Sequence, residues 1–112
     1  MAREKDEHDK YTYRGTWSED DAEYVGLCAE FPSLSWLAQT PGAALKGVSN
    51  LVHEVVTDLS ENGERVPEPL ATKHFSGKFM IRVPPEVYRQ LAIQASEAGV
   101  SLNRLASAKL SR

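Results

Sequence analysis

The chain has 112 residues, 41% of them hydrophobic and 26% charged, with a formal net charge of −3. That hydrophobic share supports a packed core and excludes global disorder, and the length suits one ordinary domain or two very small ones. A single cysteine excludes an internal disulfide, and no apolar stretch approaches the ~20 residues of a membrane span. The average charge hides a split. Residues 1–70 hold 6 Lys/Arg and 14 Asp/Glu, a net of −8, whereas residues 71–112 hold 7 and 2, a net of +5. Such asymmetry points to two modules, an acidic one suited to a basic protein and a basic one suited to a polyanion.

Residues 1–9 are nearly all charged or polar and read as a disordered N-terminus. No apolar region follows them, so they do not form a signal peptide, and a cytoplasmic location follows by elimination. Lys10 to Trp17 is rich in Tyr and Thr and reads as a strand. Ser18-Glu-Asp-Asp21 is a polar turn, and Glu23 to Phe31 reads as a second strand that Pro32-Ser33 breaks. Cys28 lies in its apolar run Tyr24-Val-Gly-Leu-Cys-Ala29 and reads as a small buried residue. Leu34 to Gln39 supplies a third strand of an antiparallel meander.

Thr40 is a candidate N-cap for a helix with Pro41 at its first position. Ala44, Leu45, Val48, Leu51, Val52, Val55, Val56 and Leu59 recur at three- and four-residue spacing, an apolar stripe wide enough to cover the sheet. Asn62-Gly63 stops the helix. The proline-punctuated Arg65-Val-Pro-Glu-Pro69 suits either a linker or a fourth, edge strand. The first module therefore spans residues 10–70 as a β-β-β-α unit.

The second module spans residues 75–112. Lys78 to Val83 alternates as a half-buried strand does, with Phe79, Ile81 and Val83 on one face and Lys78, Met80 and Arg82 on the other. Pro84-Pro85 ends it and opens a helix whose apolar face is Val87, Tyr88, Leu91, Ala92, Ala95 and Ala98. Gly99 suits the left-handed position that closes that helix, and Ser101 is a candidate N-cap for a last helix whose face is Leu102, Leu105, Ala106, Ala108 or Lys109, and Leu110. One short strand and two small helices bury too little for independent stability, and the chain offers the strand no partner nearby. A second copy can supply it. The paired ribbon presents Lys78 and Arg82 twice, at a width that fits the major groove.

Strand, helix, Gly99-Val-Ser-Leu-Asn103 turn and helix resemble the ribbon-helix-helix family of DNA-binding dimers. The resemblance implies that Lys78, Met80 and Arg82 read bases, and that Ser101, Leu102 and Asn103 hold a phosphate with the helix's free N–H groups. The preceding seventy residues resemble the N-terminal domain of HicB antitoxins. The features that carry this are Trp17-Ser18-Glu-Asp-Asp21 after an aromatic strand, Tyr24 to Pro32, and Thr40-Pro41 before a helix with Ala43-Ala44-Leu45. Leu34-Ser-Trp-Leu37 departs from the small, Gly-containing turn usual there. This resemblance implies a partial, catalytically dead RNase H-like fold. It also implies binding of a small basic RNA-cleaving toxin, HicA, and repression of the operon encoding both.

The expected fold class is thus α+β, with a partial RNase H-like β-β-β-α domain followed by a ribbon-helix-helix β-α-α dimerisation domain. The expected partners are a HicA-like toxin, operator DNA, and a second copy bound through the C-terminal domain, with pairing of dimers into tetramers left open. Bound to its operator, the chain would lie at the nucleoid. Asp20, Asp21, Glu23 and Glu30 invite a metal-nuclease reading, but three of them crowd one turn, and an acidic turn beside a solvated strand is the simpler account. Trp17, Glu19, Asp20, Asp21 and Trp36 are the candidate toxin contacts, with each tryptophan either core or anchor. His8, His53 and His74 lack ligand spacing. No catalytic residue, cofactor or metal is expected. The rival reading is a ribbon-helix-helix regulator whose N-terminal domain senses a small ligand or another protein.

Overall fold

The structure, a computed structural model, describes residues 10–112; the expected disordered N-terminus and His8 lie outside the described residues. The chain divides into two compact units between Phe75 and Ser76. The fold is α+β, a three-stranded antiparallel sheet followed by helices.

In the first unit β1 (Tyr13–Ser18), β2 (Glu23–Cys28) and β3 (Ser35–Ala38) form a sheet of order β1-β2-β3, and α1 (Pro41–Glu61) follows. The strands are shorter than their sequence pattern. The Thr12 carbonyl still accepts from Ala29 N–H at 2.9 Å, but its N–H is taken by the Glu30 carboxylate, so the ladder stops at Tyr13. β2 stops at Cys28 because Phe31 N–H turns back to the Cys28 carbonyl at 3.1 Å, and Leu34 N–H to the Phe31 carbonyl at 3.0 Å. The turn between β1 and β2 puts Ala22 at φ 53°, a left-handed conformation that costs a non-glycine residue about 1 kcal/mol.

Register decides how the layers pack. Gly15 pairs with Gly26, and Gly26 with Trp36, in one row across the sheet. A Cβ on Gly26 would run into the Ala44 carbonyl oxygen, 2.8 Å from that carbonyl's carbon and 2.9 Å from Val48 Cγ1. One on Gly15 would lie 3.1 Å from the Pro41 oxygen and 3.2 Å from Leu45 Cγ. The helix thus sits directly on two strands where side chains are missing. On the third strand the relation inverts, and the Trp36 indole fills the space that a Cβ on Gly47 would need. Alternation then assigns Tyr13, Trp17, Tyr24, Cys28 and Ala38 to the same helix-facing side. Arg14, Thr16, Val25, Leu27, Ser35 and Leu37 fall on the other.

The core follows from this. Ala44, Val48 and Val52 of the α1 stripe are fully buried; Val48 and Val52 cluster with Cys28, Tyr11 and Phe31, while Val55, Val56 and Leu59 pack at the margin. Tyr11 and Phe31 stack edge to face with centroids 5.2 Å apart. Thr40 Oγ1 accepts from Ala43 N–H at 3.1 Å, and Pro41 opens the helix as expected. Gly63 at φ 70° ends it, with Glu64 N–H returning to the Leu59 carbonyl, the double-bonded glycine stop. Residues 65–69 do not form the fourth strand left open above. They make a strap with no ladder, in which Pro69 is fully buried and the Tyr11 hydroxyl donates to the Pro67 carbonyl at 2.6 Å.

The second unit contains α2 (Pro85–Ala98) and α3 (Leu102–Leu110). Gly99 adopts φ 70°, and Val100 N–H reaches back to the Ala95 carbonyl, so α2 closes where the sequence places its stop. Ser101 Oγ accepts from Arg104 N–H and caps α3. The Lys78–Val83 strand is expected only in a ribbon paired between two copies, and a single chain does not test it. Lys78–Val83 carries no secondary structure, so in the single chain this unit is α-α after an irregular segment rather than β-α-α. A strand exists only through the ladder that satisfies its N–H and C=O groups, and a lone chain holds no partner for this one.

The glycine row yields a direct test. Gly26→Ala should destabilise the chain by about 1–3 kcal/mol, since the obstacle is backbone and cannot swing aside. Gly42→Ala meets open space and should be neutral or stabilise by up to about 1 kcal/mol. Urea unfolding of both variants against the parent chain measures the difference.

Candidate functional site

Two surfaces carry the residues that the sequence singles out. On the second unit these are Lys78, Met80 and Arg82, all exposed, in the segment before α2. The apolar residues that alternate with them are also in solvent. Phe79 is 76% exposed and Ile81 is 53% exposed, and Val87, Tyr88, Ile93 and Leu110 on the helices remain exposed too. Ala95 is the only described residue of this unit that is buried. The start of α3 leaves the N–H groups of Leu102 and Asn103 without helical acceptors, as at any helix start, and the Ser101 hydroxyl is committed to Arg104. Residues 76–112 hold six Lys/Arg against two Asp/Glu. The surface can therefore attract a polyanion, and its apolar half is left to be covered.

On the first unit the acidic turn is locally organised. The Trp17 indole N–H donates to Glu19 Oε1 at 2.7 Å, and Trp17 packs edge to face on Tyr24 at 5.2 Å. The Ser18 hydroxyl donates to Asp21 Oδ2 at 2.8 Å. Asp20 is exposed. Trp36 is not brought to this turn. It lies two strands away, one row along, with its indole over Gly47, so it acts first as packing for α1. His53 is half-buried on α1 and His74 is exposed. Among the described residues, no three His, Cys, Asp or Glu stand close enough together to hold a metal ion.

Glu30 has a role that sequence reading missed. Its carboxylate accepts from Thr12 N–H at 2.9 Å, the Thr12 hydroxyl at 3.1 Å and Leu70 N–H at 2.8 Å. The Cys28 thiol adds a long contact at 3.4 Å. One side chain thus ties the approach to β1, the end of β2 and the strap together. Partial burial works against its charge, but the N–H groups of Leu70 and Thr12 outweigh that and hold its pKa below the usual carboxylate value. Burial pushes the Cys28 thiol upward, so it stays protonated at neutral pH. No spacing rule links Thr12, Glu30 and Leu70, and nothing short of the fold reveals the clasp.

A group whose folded pKa is depressed stabilises the fold above its unfolded value and loses that contribution as pH falls through the folded one. Glu30→Gln should therefore cost about 1–2 kcal/mol at pH 7. The gap from the parent should close on acidification below the ordinary carboxylate range, as thermal melts of both chains across pH would record.

A family model, that of the HicB family, matches residues 61–110. The matched span runs from the end of α1 through the strap, the irregular segment and α2 to the last residue of α3. No curated protein and no solved structure matches the chain. Among the described residues, no helix is long and apolar enough to cross a membrane. The chain is thus similar to the HicB family over this span, which is a little under half of its length.

Proposed function

We propose that the chain is an antitoxin that neutralises a HicA-like RNA-cleaving toxin by direct binding and represses its own operon as a DNA-bound dimer. The observation that carries this is the HicB match across a unit that buries almost nothing by itself. A stretch of 37 residues with one buried alanine has no core of its own. Two copies supply one. Pairing of the Lys78–Val83 segments would satisfy their backbone groups, bring Phe79, Ile81 and Val83 against the helices, and leave Lys78, Met80 and Arg82 on the outer face.

In that ribbon the roles divide by chemistry. The planar fork of Arg82 can bond guanine O6 and N7 together, Lys78 supplies a second cation, and Met80 can touch a thymine methyl. The N–H groups at Ser101, Leu102 and Asn103 then hold a backbone phosphate and fix the register. On the acidic unit, Glu19, Asp20 and Asp21 raise the capture rate of a basic toxin, and Trp17 beside them offers an amphipathic anchor. Neutralisation is steric and electrostatic, with no turnover. The first unit, a sheet with one helix over it, serves as a partial, inactive RNase H-like platform.

The test uses the chain and DNA from upstream of its own gene. Phe79→Arg should convert a dimer to a monomer in sedimentation and abolish the gel shift. Arg82→Ala should lose about 1–3 kcal/mol on the preferred site and relax its sequence preference. Lys109→Ala, at an exposed cation in the last turn of α3, should change sequence preference less than Arg82→Ala does. Affinity should fall steeply with salt as counterions are released. A parent chain that is monomeric at every concentration, or a flat salt profile, rejects this reading of the second unit.

A further inference from the structure

The first unit covers one face of its sheet and leaves the other bare. Ladder register puts Thr16, Val25 and Leu37 in one row of the bare face, and Arg14, Leu27 and Ser35 in the next. Leu37 is 42% exposed, and Val25 and Leu27 are partly exposed. The central strand is the informative one. Tyr24-Val-Gly-Leu-Cys28 is apolar on both of its faces, the pattern of a strand covered from two sides rather than of one with a solvated face. Among the described residues only α1 covers it, and from one side.

We propose that this bare face is where the basic partner docks, laying an apolar segment flanked by Lys or Arg across Val25, Leu27 and Leu37. The inference rests on the antitoxin reading above and names the site that reading leaves open. The charge around the strip fixes the occupant. Its turn end is closed by Glu23, whose carboxylate is held by the Gln39 side-chain amide at 2.7 Å, and by the Glu19–Asp21 turn. Arg14 stands at the opposite end, where a shallow depression lined in part by Leu27, Ala29 and Pro32 continues the strip. A partner thus lies with its cations toward the turn and an acceptor toward Arg14. The first unit of a second copy fits poorly, because residues 10–75 hold ten Asp/Glu against five Lys/Arg and two such units repel. On the helix side the exposed tryptophans are already engaged within the unit, Trp36 over Gly47 and Trp17 on Tyr24, so Trp17 can serve only at the margin of a partner seated on the open face.

The experiment measures binding of a purified HicA-family toxin to the full chain at physiological salt by biolayer interferometry. Leu37→Arg and Thr16→Arg are compared with Asn50→Arg, which adds the same charge on an exposed position of α1. Circular dichroism melts keep folding and binding apart, and either open-face variant that melts like the parent suffices. The expected result is a loss of about tenfold or more for the open-face variants and little change for Asn50→Arg. Equal affinities across all three variants overturn this docking site while leaving the antitoxin reading intact. A change in the oligomeric state of the free chain on Leu37→Arg assigns the face to a second copy and overturns it as well. No binding by the parent chain removes the reading and the site together.

Discussion

The first unit depends on a row of missing side chains. Gly15 and Gly26 face each other across β1 and β2; the backbone of α1 occupies the place of a Cβ on Gly26 and closely approaches that of one on Gly15. Close approach lets Val48 and Val52 reach the buried thiol of Cys28 and the ring of Tyr11 without a gap. At the third strand Gly47 on the helix gives way to Trp36 on the sheet. Small meets large along one line, so the helix can seat at only one height and register. Interiors packed to crystal density tolerate little else.

What could be read from the sequence follows from what has a period. α1 was legible in full: its cap Thr40, its Pro41, its stripe and its glycine stop are local signals with fixed offsets. The same holds for Gly99 and Ser101 in the second unit. The strands were legible as elements but not at their ends, because Glu30 takes the Thr12 N–H that would have prolonged β1. The strap was not legible at all. Its hydrogen bonds join residues 40 and 56 positions apart in the chain, and a buried proline looks like any linker proline until its surroundings are known. Of the candidate site, the grouping of Trp17 with the acidic turn was readable from proximity. The separation of Trp36 from it depends on ladder register. The strand at Lys78–Val83 marks a different limit: alternation tells which side chains share a face, not whether a partner is present to make the ladder.

The two units differ in how they reach stability. The first buries a stripe against a sheet and ties its loose end with a carboxylate clasp. The second has good caps, a paired Glu86 and Arg89 on its surface, and almost no interior. Helices of 14 and 9 residues are marginal in water whatever their caps. If it pairs as proposed, association and folding of this unit become one equilibrium, and its stability depends on concentration. An autorepressor built this way, as proposed, binds DNA only in the state that is also folded. The segment that would read the operator is also the one that completes the core, so a substitution at Phe79 or Ile81 acts on both at once.

The charge on α1 carries the argument one step further. A helix is stabilised by acids in its first turn and bases in its last. α1 has neither, and its last turn holds Asp58 and Glu61. Each misplaced carboxylate costs about 0.3–1 kcal/mol at low ionic strength. Glu64 and Glu68 prolong the acidic run into the strap, with Arg65 as the one cation among them. A sequence shaped by this unit's stability alone would place those charges elsewhere, and local conflicts of this kind concentrate at functional surfaces. Since the turn between β1 and β2 is acidic as well, the excess charge is spread over both ends of the unit. Such a distribution would draw a basic partner in from many directions, and in the docking proposed above would leave the final fit to the apolar strip on the sheet.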